Sequence, residues 1–313
     1  MGILHFRAMG CQMTAMIDSQ TPEAADVLSQ VPGWFEDWEA ALSRFRSDSE
    51  LMRLNGLAGS PMVVSQTLWD VLHASLAAEQ ASAGLVTPLV LDSLEAAGYA
   101  LSFEWVQQAN GVSVSPRPAV AARPVELSLG DALHFDDDTL TVTLEPGYRL
   151  DLGGVAKGWA AQEAVHRLGA FGPALVDAGG DIAVSGPRAD GSAWPIAIAD
   201  PQIQDADLGQ LALASGGVAT SGRDYRRWLV DGQPRHHLID PRTGQPSTTD
   251  VLCVTVTAPT LRDAEVAAKT VFLLGSDAAG AWLSSRPDLK AFLVLDDGRM
   301  MGFPDSSWVT MVA

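Results

Sequence analysis

Leu150-Asp151-Leu152-Gly153-Gly154-Val155-Ala156-Lys157-Gly158 is the stretch on which the fold turns. Residues 148–152 alternate and predict a strand, and the glycine pair predicts a tight turn. From Val155 onward the apolar positions Val155, Trp159, Ala160, Ala164, Val165 and Leu168 recur at helical spacing, until Gly169 stops them. Downstream, Ala174-Leu175-Val176-Asp177 predicts a strand, broken at Gly179-Gly180-Asp181 by a bulge or a ligand's close approach, and resumed at Ile182-Ala183-Val184. Further strands are expected at 194–199, 209–214, 226–230, 251–257 and 291–295, with helices at 260–274 and 276–285. Upstream, 3–17 predicts one strand, and a helix follows on Val27, Val31, Phe35, Trp38, Leu42 and Phe45, with Pro32 in a turn or interrupting it. Helices are expected at 49–55, at 64–81 and shortly before Gly98-Tyr99. Strands are expected at Val112-Ser113-Val114, 125–129 and 140–144. Helices and strands in mixed order predict an α+β fold with mixed sheets and flanking helices. No repeat or linker interrupts it, so 1–313 is expected to form one large domain.

Composition narrows the function. The chain has 313 residues, 38 acidic against 20 basic, for a net charge of −18. A protein so acidic repels phosphate backbones, and no basic run exceeds Arg226-Arg227, so nucleic acid is not an expected partner. No stretch of about 18 apolar residues predicts a membrane span. The start, Met1-Gly2-Ile3-Leu4-His5-Phe6-Arg7, lacks the apolar core of a signal peptide, which predicts a cytoplasmic location. Two cysteines, Cys11 and Cys253, form no metal-binding spacing, and sequence does not pair them.

Three segments could carry chemistry. The helix start at Gly153-Gly154 offers outward N–H groups to an anion, with Lys157 adding charge, although its glycine spacing fits neither a dinucleotide fingerprint nor a P-loop. Ala219-Thr220-Ser221-Gly222 is a small-residue turn with hydroxyls to offer, or a plain turn. In His236-His237-Leu238-Ile239-Asp240-Pro241-Arg242-Thr243-Gly244, adjacent histidines on a strand point opposite ways, so at most one enters a given site. An imidazole beside such a turn is either structural or a general base.

Taken in chain order, these pieces resemble the ApbE-type FAD:protein FMN transferases. The resemblance also rests on Met9-Gly10-Cys11, Leu42-Ser43-Arg44-Phe45-Arg46-Ser47-Asp48-Ser49-Glu50-Leu51, residues 84–99, and the helix before Leu273-Leu274-Gly275. It implies a single α+β domain of T-shaped outline that binds FAD and transfers FMN to a threonine of an acceptor protein. AMP is released, and Mg²⁺ sits on the diphosphate. Carried over by motif, Met9, Phe45, Leu85, Val86 and Thr87 line the adenosine and flavin pocket. Asp151 binds the adenosine part, Lys157 lies near the phosphates or the nucleotide, and Asp181, Ser221 and Leu238 contribute to the cofactor site. His237 is the general base toward the threonine. Gly154, by its carbonyl, and Glu265 are the implied metal ligands.

Five positions depart from the family pattern. Cys11 replaces a threonine, and Thr87-Pro88-Leu89 replaces Asp-Pro-Thr. In the closing helix Glu265 replaces an aspartate and Lys269 replaces the metal-binding threonine, unless a one-residue shift brings in Thr270. A protonated lysine has no lone pair for a metal. Two alternatives keep the same fold: an FAD carrier, and an FAD pyrophosphatase yielding FMN and AMP.

Overall fold

The computed structural model describes residues 1–103, 122–230 and 232–312. Its helices are α1 (Pro22–Leu42), α2 (Glu50–Gly56), α3 (Gln66–Ala81), α4 (Leu91–Ala96), α5 (Leu129–Ala132), α6 (Ala156–Gly169) and α7 (Leu261–Ser284). The chain divides into two compact units, one of residues 1–35, 157–225 and 249–313, the other of 36–156 and 226–248.

The first unit is built on an eight-stranded sheet whose strands follow the chain: β1 (Gly2–Ala8), β2 (Cys11–Ile17), β3 (Ala174–Ala178), β4 (Ile182–Val184), β5 (Gly216–Gly222), β6 (Val251–Ala258), β7 (Lys290–Leu295) and β8 (Met300–Phe303). Every neighbouring pair is antiparallel. One face buries Leu175, Val218, Cys253, Phe292 and Val294 against a three-stranded sheet that supplies Trp194, Ile196, Ile198, Leu211 and Leu213. This is ordinary sheet-on-sheet packing of apolar side chains.

On the other face, Gly217 of β5 backs directly onto the start of α7. Small residues dominate the buried positions here: Ala160, Ala161 and Ala164 on α6, Ala264, Ala267 and Ala268 on α7, and Ala178, Ala183 and Ala219 in the strands. Small side chains let backbones approach closely, so the position of each helix is set by backbone contact. Thr260 caps α7, accepting the Asp263 N–H at 3.1 Å. Gly275, at φ 79°, breaks α7 where the sequence placed the boundary between two helices. Only glycine adopts that angle freely.

In the second unit, α2 and α3 start at Ser49 and Ser65, whose hydroxyls accept the Met52 and Leu68 N–H groups. The short strands Met62–Val63, Thr141–Leu144 and Leu133–Asp136 form a small sheet, and Arg227–Val230 pairs with Gln233–His236.

Several local expectations are corrected. The strand expected at 3–17 is the hairpin β1–β2, because Met9 (φ 49°) and Gly10 (φ 69°) both take the left-handed conformation of a two-residue turn. Gly179 (φ 70°) and Gly180 (φ 97°) do the same, so Gly179-Gly180-Asp181 turns a hairpin instead of bulging a strand. The Ala219-Thr220-Ser221-Gly222 segment is not a turn but the end of β5, paired with β6. Residues 148–152 form no ladder strand. Asn55 substitutes for a strand there, donating to the Leu150 carbonyl at 2.9 Å and accepting its N–H at 2.7 Å. The strand expected at 125–129 is absent, and Ser128 caps α5 instead. Pro32 lies inside α1, whose buried stripe of Val27, Val31, Phe35, Trp38 and Leu42 carries the helix through the lost bond. The strand expected at Val112-Ser113-Val114 lies outside the described residues. Among the described residues, no helix is long and apolar enough to cross a membrane.

Gly217 tests the close packing. A Cβ there would lie 2.3 Å from the Leu261 Cα, a backbone atom with nowhere to move. Gly217→Ala is expected to cost roughly 1–3 kcal/mol, read as a lower urea midpoint at unchanged slope.

Candidate active site

In the first unit the two hairpin turns sit side by side. A Cβ on Gly179 would meet the Cys11 side chain at 3.0 Å, so the turn after β1 packs on the turn after β3. Met9 stands in the first turn, half-buried. Asp181 closes the second and is buried. Its carboxylate is shared between the Lys157 ammonium, through Oδ2, and the Thr220 N–H, which donates to Oδ1 at 3.2 Å. Lys157 belongs to the first turn of α6, so Asp181 ties that helix start to β5. The Thr220 hydroxyl meets that of Thr255 at 2.8 Å, and neighbouring Ser221 is buried. Met9, Lys157, Asp181 and Ser221 thus stand on elements that meet around this hairpin pair.

Asp177, to which no sequence motif assigns a role, belongs to the same group. Burial pushes its carboxyl up, against the Gly180 N–H that donates to Oδ1 at 2.7 Å; the neighbouring Asp181 charge raises it further, while Lys157 and Gly179 lower it.

One residue beyond Lys157, Gly158 donates its N–H to Oε2 of Glu265 on α7 at 3.2 Å. A Cβ on Gly158 would lie 2.4 Å from that oxygen, so the contact exists only because residue 158 has no side chain. Glu265 is 2 % exposed. Its Oε1 lies 3.0 Å from Nζ of Lys269, one turn along the same helix. Thr270 offers no alternative, being fully buried with its hydroxyl donating to the Val266 carbonyl at 2.8 Å. Mg²⁺ takes near-octahedral oxygen ligands and keeps several waters. Here one carboxylate oxygen accepts a backbone N–H and the other faces a cation that cannot ligate, so these residues do not fit Mg²⁺.

The second unit carries the other expected residues. Asp151 accepts the Gly153 N–H at 2.9 Å through Oδ1 and pairs with Nε of Arg44 at 2.5 Å through Oδ2. Its own N–H donates to the Pro88 carbonyl at 2.9 Å, which sets it beside Thr87, while Gly154 lies in the turn that follows. Leu85, Val86 and Thr87 are buried. Arg44 also donates to the Tyr99 carbonyl at 2.8 Å, and its guanidinium lies 4.1 Å from the Phe45 ring centre and 4.6 Å from that of Tyr99. Phe45 itself is 45 % exposed, an aromatic face standing on a buried cation. The local sequence assigns Arg44 no role. Its partner is distant in the chain, and nothing local marks it.

The two histidines differ. His236 is buried; Nε2 donates to the Ser247 carbonyl at 2.9 Å and Nδ1 accepts the Leu238 N–H at 3.3 Å, which fixes a neutral tautomer in a structural role. His237 is half-buried, between two buried neighbours. Asp240, also expected near it, is held by its own turn, accepting from the Arg242 guanidinium at 2.7 Å.

The ApbE family model matches residues 9–293. The FAD:protein FMN transferase of Treponema pallidum is 30% identical over 324 residues, covering 93% of this chain and 83% of that protein. One from Klebsiella pneumoniae is 30% identical over 267 residues, covering 82% and 78%. Among solved structures, the ApbE protein of Thermotoga maritima superposes at a TM-score of 0.79 with 25% identity over 96% of both chains. The flavinyl transferase ApbE of Pseudomonas stutzeri shares the fold at a TM-score of 0.75 and 24% identity, over 96% of this chain and 94% of that one.

Asp177 yields a pH prediction. Its carboxyl is raised in the folded state, so the native protein holds the proton more tightly than the unfolded chain. Stability is therefore lost as pH rises from the unfolded value through the raised folded one. Asp177→Asn keeps an acceptor for Gly180 and removes that loss. Its melting temperature relative to wild type should climb between acid and neutral pH, whereas a constant offset would contradict the assignment.

Proposed function

This chain belongs to the ApbE family, and on that premise we propose that it is an FAD:protein FMN transferase, moving the FMN half of FAD onto a threonine hydroxyl of an acceptor protein with release of AMP. The reaction is a displacement at phosphorus. The threonine oxygen forms a bond to the phosphorus of the FMN half. The bond from that phosphorus to the bridging oxygen breaks, and its electron pair leaves with AMP. The threonine proton passes to an imidazole.

Support for the activity comes from the match along 93% of the chain to a protein that bears that name. The base is argued from the contrast between neighbouring imidazoles. His236 spends both ring nitrogens on backbone groups, so a proton could not be added without breaking the Leu238 bond. His237 is the half-exposed member of the pair, and we assign it as general base.

In the sheet unit, Met9, Lys157, Asp181 and Ser221 serve FAD, with Lys157 directed to phosphate. Asp181 holds that ammonium in one place, which spares the entropy of ordering a long side chain on binding. In the other unit, Phe45 offers a ring face to a flat heterocycle, and Asp151, fixed by Arg44, presents an ordered carboxylate. Thr87 and Leu238 join them. Leu85 and Val86 are core side chains, so their part is played by the backbone.

Incubation of the protein with FAD and an acceptor protein, followed by intact-mass measurement of the acceptor, tests the reading. His237→Ala should slow appearance of the FMN adduct by roughly 10²–10⁴-fold, the usual share of a general base. Formation at the wild-type rate would remove His237 from the chemistry. His236→Ala is expected instead to lower stability by about 1–3 kcal/mol, because the Ser247 carbonyl is left unsatisfied.

A further inference from the structure

Two lysines of the sheet unit are each tied to a buried carboxylate, Lys157 to Asp181 and Lys269 to Glu265. The pairs are joined through consecutive residues of α6, since Lys157 meets Asp181 and Gly158 donates its N–H to Glu265. Lys157 accounts for one phosphate-directed charge. The second pair is not used by the reading above.

A carboxylate as buried as Glu265 must be neutralised. In this chain the neutralising cation is covalently attached, one helical turn away. Glutamate preceding lysine by four residues is the favourable orientation on a helix. The glycine at 158 lets the carboxylate sit against α6, and the ammonium then stands beside the first turns of that helix. The ammonium answers Oε1 by charge at 3.0 Å, and its three N–H groups are donors for phosphate oxygens. A divalent ion on the same carboxylate would lie against this ammonium, and the two positive charges exclude one another.

We propose that the Lys269 ammonium, seated on Glu265, is a built-in cation for the diphosphate of a dinucleotide, so that this chain binds its substrate there without a divalent metal. The inference rests on FAD being the substrate, but its test is a binding measurement and does not depend on transfer.

Titrating the full chain with FAD and following flavin fluorescence, with EDTA or with millimolar Mg²⁺, decides it. Wild-type affinity should be the same in both. Lys269→Thr replaces the ammonium with a hydroxyl that has lone pairs for a metal. Its affinity for FAD should fall about tenfold or more in EDTA, the usual scale for losing a charged hydrogen bond, and recover with Mg²⁺. Mn²⁺ followed by electron paramagnetic resonance should remain free with wild-type protein and become bound with Lys269→Thr. A wild-type affinity that collapses in EDTA, stoichiometric Mn²⁺ binding by wild type, or a Lys269→Thr variant indifferent to EDTA would each overturn the proposal. If Lys269→Thr does not fold, the two wild-type measurements still decide. Tight metal-free binding of FAD without any labelled threonine would instead refute the transferase reading and leave this inference standing.

Discussion

Glu265 can lie against α6 only because residue 158 is glycine, and much of the sheet unit depends on that approach. The helices that flank it are faced with alanine, so backbone contact sets their positions. Close packing of this kind tolerates no added methylene, which is why Gly217 and Gly158 stand where the backbones come nearest. Glu265 is buried there, so its charge must be answered within the protein. Lys269 answers it. A structural constraint thereby becomes an electrostatic one at the start of α6, where Lys157 is held in the same way by Asp181.

This arrangement suits an acidic protein that takes an anionic substrate. At a net charge of −18 the long-range field opposes a dinucleotide, so the attraction must come from a few fixed cations at short range. Each lysine carries its own counter-charge, which keeps it in place at little net cost before ligand arrives. The other unit uses the same device with arginine, where Arg44 stands between Asp151 and two aromatic rings. In both units a basic side chain is fixed by a carboxylate that the local sequence does not place beside it.

That separation explains what the sequence could tell. Local signals were legible: the 3.6-residue stripe of α6, the serine caps of α2 and α3, and the glycine that breaks α7 at 275 all act within a few residues. Strand identity was less so. The Ala219-Thr220-Ser221-Gly222 segment has poor strand propensity and becomes β5 because β6 pairs with it, a tertiary effect. Residues 148–152 alternate like a strand, yet their backbone is satisfied by Asn55, which no local pattern announces. Among the candidate site residues, Lys157, Asp181 and His237 stood in motifs. Asp177 and Arg44 gained their roles from burial and from distant partners, so neither was singled out. The Glu265–Lys269 pair was visible as an i, i+4 spacing, but the glycine that seats it lies on another helix.

In the proposed reaction the phosphorus–oxygen bond of FAD is broken by a protein hydroxyl and not by water. Counting AMP released against FMN-bearing threonine formed, in one reaction with FAD and an acceptor protein, tests it most directly. Equal amounts are expected throughout the time course. AMP accumulating without a matching adduct, with free FMN in its place, would contradict it and make the chain a hydrolase.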